Sequence, residues 1–393
     1  MDVMAGATAA ECLARARGLI PLLRAEAPAI EAARGLTPRV LDAMHGAGMF
    51  RLLLPRAYGG AQLRPSDYVR CVEAIAEGDA SAAWCMGQGS GCSMASAYMP
   101  PAVAHELFDD PRGVLAWGQG PGARLVRAPG GWRVTGSWSF VSGARHATWF
   151  GANGPCFEAD GTPIVRPDGR AWDRTLLVPR ASARIEDVWR VVGLRGTGSD
   201  TVHVDDLFVD DAHAFTRDYA PGRVVSEPLY RFQSMQLYAG GFACVALGTA
   251  RAAVDAFADL VRTKTRAWAA DAMAGDAAVL RELAYRDAAL KAAKAGLLEV
   301  LDDAWDEVAA GADLSVAHRV AVRQAATFAI HAARDAANAV YHEAGSTAIF
   351  DAQPFERRFR DVNAVSQQLQ GRRAHFETVG RYLVGGQPDM RWL

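Results

Sequence analysis

The chain has 393 residues, half of them apolar, and a formal net charge of −2. That length supports a large buried core spread over two or three structural layers, while the nearly cancelled charge and scattered arginines exclude an electrostatic nucleic-acid binder or an anionic-membrane partner. The six cysteines, Cys12, Cys71, Cys85, Cys92, Cys156 and Cys244, form no CxxC pair, so neither a disulfide framework nor a metal site is expected. No stretch approaches the ~20 uninterrupted apolar residues of a membrane span, and no basic, apolar leader opens the chain. A cytoplasmic protein is expected.

Residues 1–110 read as an α-helical domain. Thr37 followed by Pro38 is a helix start, with the threonine as cap and the proline in the first turn. Pro65-Ser66-Asp67 opens another helix, whose stripe of Val69, Val72, Ile75 and Ala76 ends near Gly78.

Composition shifts at Pro111, and residues 111–226 read as a central antiparallel β domain. The pattern around 124–138, with a Pro-Gly-Gly turn, predicts a hairpin. In the segment GSWSFVSG over 136–143, strict alternation puts Trp138, Phe140 and Ser142 on one face and Ser137, Ser139 and Val141 on the other. The same segment also reads as a buried strand closed by a Ser-Gly turn.

Residues 227–393 return to helical periodicity, with helices predicted over 233–266, 277–310, 315–341 and 355–383. Four such lengths with short connections predict an antiparallel four-helix bundle. His331 and His342 are eleven residues apart with no third ligand near, so no metal is expected there.

The order of helices, β domain and long helices resembles the acyl-CoA dehydrogenase superfamily, and local signatures carry the same resemblance. They are residues 54–60 (LPRAYGG), residues 193–199 (GLRGTGS) followed by 202–209 (VHVDDLFV), and Phe359-Arg360-Asp361. The expected fold is therefore mainly α with a central β domain. Trp138-Ser-Phe-Val-Ser142-Gly143 followed by His146, Ser81-Ala-Ala-Trp84, and residues 344–350 (AGSTAIF) resemble the flavin-dependent two-component monooxygenases on this fold. That branch includes p-hydroxyphenylacetate hydroxylase oxygenase components, steroid-phenol hydroxylases and dibenzothiophene monooxygenases.

The resemblance implies an oxygenase that takes reduced FMN, or FAD, from a separate NAD(P)H-dependent flavin reductase. Such an enzyme uses O2 through a flavin C4a-hydroperoxide on a small-molecule substrate. It also implies a homotetramer built as a dimer of dimers. Ser142 would reach the flavin, with Trp138 and Phe140 beside the ring. Arg262, with Lys264 and Arg266 as alternatives, would supply a cation to the flavin phosphate, and Gly345 and Ser346 would offer amides. The stretch 262–266 also reads as a solvated helix end, Lys264 and Arg266 above all, and Gly345 as a helix stop. Trp84, Cys92 and Gln368 fall where the family contacts substrate, although Trp84 also reads as ordinary core. His146 reads either as a catalytic group or as a loop anchor.

A dehydrogenase of this fold needs a carboxylate to remove the α-proton of a thioester. The two family positions for that base carry Leu369, flanked by Gln368 and Gln370, and the stretch Gln233, Ser234, Gln236. Phenol hydroxylases carry histidines where this chain has Cys92 and Gln368. The missing carboxylate disfavours acyl-CoA dehydrogenation, and the two missing histidines favour an already nucleophilic substrate, such as an amine, thioether, indole or enol. An acyl-CoA oxidoreductase with a displaced base, or a degenerate flavin-fold binding subunit, remains as an alternative.

Overall fold

A computed structural model describes residues 4, 6–166, 169–265 and 272–393. Five helices come first: α1 (Ala9–Ala33), α2 (Pro38–Gly46), α3 (Pro65–Gly78), α4 (Ala80–Ser93) and α5 (Pro101–Phe108). The sequence signals act as expected at α2, where the Thr37 hydroxyl accepts from the Val40 amide and Pro38 stands in the first turn. Such a cap is worth about 1 kcal/mol. Every residue of α4 is buried, from Ala80 to Ser93. That burial follows from its place between α3 on one side and the later bundle on the other.

The β domain contains β1 (Leu115–Ala116), β2 (Arg124–Ala128), β3 (Gly131–Val141), β4 (Trp149–Phe157), β5 (Asp173–Pro179), β6 (Arg184–Glu186), β7 (Asp200–Asp210) and β8 (Ala214–Phe215). The sheet order is β6-β7-β3-β2-β4-β5-β8, with β1 added against β4. The predicted hairpin is β2–β3. The sheet is mixed, which corrects the all-antiparallel expectation: β1 and β2 both run parallel to β4. β2 and β4 are not joined by a hairpin, because β3 lies between them in sequence, so the parallel contact closes across a connection that local turn chemistry cannot reveal.

The third segment contributes α6 (Ser234–Thr263), α7 (Ala277–Ala309), α8 (Val316–Ala344), α9 (Glu356–Gln367) and α10 (His375–Leu383). α6 is long and apolar enough to cross a membrane, yet it is the buried centre of the bundle. The helix predicted over 355–383 is broken in two. Gln368 leaves the helical region at φ −78°, ψ 173°, and its side chain accepts from the Gln370 amide at 2.7 Å. This local bond competes with helix continuation. The first and third segments share one hydrophobic core, while the β domain has its own around Trp132, Val134, Trp138 and Val202.

Candidate active site

A cavity of about 1280 Å³ lies where the β domain, α4, α6 and the α9–α10 break meet. Its position follows from three local departures from regular structure. The first is in β3. Between Trp138 and Val141 the strand advances three residues while its partner β7 advances two, from Val202 to Asp200. This bulge resets the alternation. Trp138 turns into the β core, 2 % exposed, and its indole N–H donates to the Asn153 carbonyl at 2.8 Å. Phe140 turns the other way, 61 % exposed, with φ at +57°. The expectation that Trp138 shares a face with Phe140 and Ser142 is therefore corrected, and Trp138 is not on the cavity wall. Phe140 and Ser142 are.

The second departure is the loop between Gly193 and Ser199. Leu194 and Gly198 both adopt positive φ. The Leu194 amide donates to buried Asp361 at 2.7 Å, and the Gly196 amide to Ser81 Oγ at 3.1 Å. A Cβ on Gly193 would stand 2.2 Å from the Arg360 carbonyl, so only glycine permits this approach to α9. The loop presents Leu194, Thr197 and Ser199 to the cavity. The third departure is the break after α9, which brings Gln367, Gln368, Leu369 and Gln370 to the wall.

Ser142 stands at the centre of a hydroxyl chain. Its oxygen accepts from the Trp84 indole N–H at 2.9 Å and lies 2.7 Å from Ser199 Oγ. Ser199 is in turn 2.7 Å from Thr197 Oγ1, which donates to the Leu194 carbonyl at 2.9 Å. Trp84 stacks on Phe242 with centroids 3.8 Å apart and planes 8° from parallel, and Phe242 stacks on Tyr238 at 5.6 Å. On the facing side Phe140 meets Trp189 edge-on at 6.1 Å. Offset aromatic contacts of this kind make rigid apolar walls.

Cys92 lies behind this wall and does not line it. Its sulfur accepts from Gln88 Nε2 at 3.4 Å and bonds the Tyr238 hydroxyl at 3.4 Å. Burial pushes the thiol up to about 12, so it is inert as a base and positions two residues that do face the cavity. His146 also lies off the wall. Its ring packs 5.4 Å from Phe50 and about 3 Å from where a Cβ on Gly143 would be. Although part of the residue reaches solvent, burial of the ring and the neighbouring His45 and Arg180 hold its imidazole well below the usual range. It stays neutral and holds the turn after Gly143. The catalytic expectation for His146 finds no support in this placement.

Arg262, Gly345 and Ser346 lie at the far end of the bundle, away from the cavity. Arg262 is exposed and paired with Asp259. Lys264 donates to the Ala344 carbonyl at 2.7 Å and to Thr347 at 2.6 Å, which joins the ends of α6 and α8. Gly345 takes φ +61°, a position that favours glycine, and Ser346 is exposed. Arg266 lies outside the described residues.

The cavity suits a flavin together with a small substrate. Its volume exceeds the ~300–1,000 Å³ of a pocket for one drug-sized ligand. Four polar atoms on its lining residues, Gln368 Nε2, Asn153 Oδ1, Arg166 Nε and Arg174 Nε, are buried without a hydrogen-bond partner among the described residues, and such groups call for a ligand or water. Phe140, Ser142, Trp189, Leu194 and Thr197 provide the flat apolar faces and hydroxyls that a flavin ring takes.

The sequence matches the family described as "Acyl-CoA dehydrogenase, N-terminal domain" over residues 21–100 and the C-terminal domain family over residues 240–370. A FADH(2)-dependent resorcinol hydroxylase oxygenase component from Rhizobium sp. is 30 % identical, covering 90 % of this chain and 89 % of that one. The chain belongs to the oxygenase components of flavin-dependent monooxygenases, within the acyl-CoA dehydrogenase superfamily. It has the acyl-CoA dehydrogenase fold. An indole-3-acetate monooxygenase from Pseudomonas putida is 29 % identical, with 90 % of this chain and 89 % of the relative covered. The crystal structure of the HsaA monooxygenase from M. tuberculosis superposes with a TM-score of 0.89 at 25 % identity, covering 98 % of this chain and all of the other. Within this family, Gln88, Trp117, Trp189, Arg217, Tyr238 and Phe242 are wall residues that sequence reasoning missed. Of these only Trp189 and Trp117 carry a signal, being tryptophans in otherwise polar loops.

Proposed function

We propose that this chain oxygenates a small electron-rich aromatic or heteroatom substrate that needs no enzymic base. Reduced flavin, when bound, supplies the two electrons with which one atom of dioxygen enters the product and the other leaves as water. A separate flavin reductase delivers it. Ser142, fixed by Trp84 and Ser199, offers a hydroxyl to the ring. The Trp84–Phe242–Tyr238 stack excludes water and gives the substrate a flat seat. In a dimer of dimers, Arg262, Gly345 and Ser346 of a neighbouring copy would complete the flavin site. The exposed side chains of Ile349 and Phe350 beside Gly345 support that reading.

One observation carries the proposal. Both positions where a dehydrogenase keeps its base, around Gln233–Ser234 and around Leu369, open onto this same cavity and hold no carboxylate. Asp218, an acid on the same wall, accepts from the Ser234 amide at 3.0 Å and its hydroxyl at 2.7 Å and serves as a helix cap. No histidine lines the wall either, and burial holds Tyr238 well above its ordinary value. A phenol seated at either of these two positions would find neither a carboxylate nor an imidazole there to take its proton.

The experiment is anaerobic titration of the flavin-loaded protein with octanoyl-CoA, followed by turnover of indole, a thioether and a phenol with reduced flavin and oxygen. Unchanged flavin absorbance with the thioester, and coupled oxidation of indole or thioether in preference to phenol, are expected. Bleaching by octanoyl-CoA would instead establish the dehydrogenase alternative.

A further inference from the structure

The cavity has two ends along α4. Trp84 and Gln88 are one helical turn, ~6 Å, apart on the same face. Trp84 marks the end at Ser142. Gln88 marks the other, where its Nε2 donates to the Trp117 carbonyl at 3.3 Å. Over the Trp117 ring, 4.3 Å from its centroid, lies the guanidinium of Arg217.

Arg217 differs from the paired and exposed arginines on this wall, and it is the one that lies over the Trp117 ring beside Gln88. Arg174 is paired with Asp211 and Arg391 with Asp389. Arg166 covers the Tyr219 ring, and Arg372 is exposed at the rim. Arg217 is partly buried and has no ion pair or hydrogen-bond acceptor among the described residues. The adjacent carboxylate, Asp218, is occupied by Ser234, and Asp173, the other acid on the wall, makes no ion pair with it. Stacking uses the face of a guanidinium and leaves its N–H edge open, and that edge matches a planar oxyanion in two-point fashion. An apolar cavity weakens the screening of such a charge. The positive potential of Arg217 is felt by the buried Cys92 and Tyr238, which places it at the substrate side of the aromatic stack.

We infer that Arg217 is a specificity residue that binds the carboxylate of an aromatic acid, one whose ring rests against Trp84 and Phe242 and whose short arm reaches the Trp117 end. This rests on the oxygenase reading above and names its substrate class. The one-turn separation suits a ring with a one- or two-carbon arm.

The test is tryptophan-fluorescence titration of the full chain, as wild type, Arg217→Gln and Arg217→Lys, with two isosteric pairs: phenylacetate against phenylacetamide, and indole-3-acetate against indole-3-acetamide. The wild type should bind the acids roughly tenfold or more tighter than the amides, the scale of a charge-assisted bond. Arg217→Gln should reduce that preference to about twofold or less with the amides unaffected, and Arg217→Lys should keep part of it. Reduced FMN and reduced riboflavin are titrated anaerobically in parallel. Absence of acid preference in both wild-type pairs overturns the inference. So does a variant that loses affinity for FMN but not riboflavin, because Arg217 would then serve the flavin phosphate. If the wild type takes up neither flavin, the oxygenase reading itself fails; normal flavin uptake without acid preference removes only the Arg217 anchor.

Discussion

The Trp84 indole N–H donates to the Ser142 hydroxyl at 2.9 Å, and this bond joins the helical wall of the cavity to the β-domain wall. The donor fixes one lone pair of the serine, so the remaining bonding capacity of Ser142 is shared between Ser199 and the cavity. Removing either partner frees the other to rotate. A neutral hydrogen bond of this kind contributes about 0.5–1.5 kcal/mol.

Ser142→Ala and Trp84→Phe should therefore both raise the fraction of reduced flavin that ends as hydrogen peroxide, by roughly two- to tenfold on that energy scale. Peroxide release per flavin oxidised, measured with a peroxidase assay, checks this. Flavin affinity should change little in Trp84→Phe, which keeps an aromatic face. Equal peroxide yields in wild type and both variants would remove Ser142 from its assigned role.

Phe140 is held at φ +57° while largely exposed. A non-glycine residue there carries about 1–2 kcal/mol of backbone strain, and little burial offsets it. Phe140→Gly should leave the urea midpoint unchanged or higher, because strain relief opposes the added chain entropy. Flavin binding should weaken several-fold, since the edge contact with Trp189 is lost. A clear loss of stability with intact flavin affinity would make the bulge a packing device only.

Asp361 is buried against the loop it supports. Burial, followed by the charge of Asp79, raises its carboxyl to about 7, above the ~3.9 of an unfolded aspartate. Between those values the folded chain binds more protons than the unfolded one, so this group lowers stability as pH rises from about 4 to about 7. Asp361→Asn can still accept from the Leu194 amide and has no charge to bury. Its stability relative to wild type should increase across that window and level off above it. Parallel denaturation midpoints from pH 5 to pH 8 would contradict this.

Most of the architecture is legible in the sequence because it rests on local signals. Thr37 and Pro38 start α2, Pro65 starts α3, and composition alone separates helices from strands. Trp84, Phe140, Ser142 and Gln368, read from spacing and resemblance, do meet at one cavity. The rest depends on contacts that sequence order hides. Two-residue alternation cannot foresee the extra residue that sends Trp138 into the β core. The apolar periodicity through 355–383 gives no warning that Gln368 will bond the Gln370 amide and end α9. Cys92 and His146 fall at family motif positions, and burial behind Tyr238 and Phe50 sets their roles. Arg217 carries no motif; only its position over Trp117 distinguishes it.

Arg323 is 2 % exposed and donates to the Trp392 carbonyl at 2.7 Å and to Gln370 Oε1 at 2.5 Å. Burial lowers it to about 10. It ties the α9–α10 break to the chain end. Arg323→Leu should leave two acceptors unmet at roughly 1–3 kcal/mol each, read as a lower urea midpoint. An unchanged midpoint would mean that the break is held by packing alone.

The central claim is that this cavity delivers oxygen to an electron-rich substrate without an enzymic base. Its most direct test is turnover of indole and a thioether with reduced flavin under ¹⁸O2, with mass spectrometry of the products. One ¹⁸O atom per product, at a rate insensitive to Cys92→Ser, is the predicted result. Products without ¹⁸O, together with an α,β-unsaturated thioester formed from octanoyl-CoA, would contradict it.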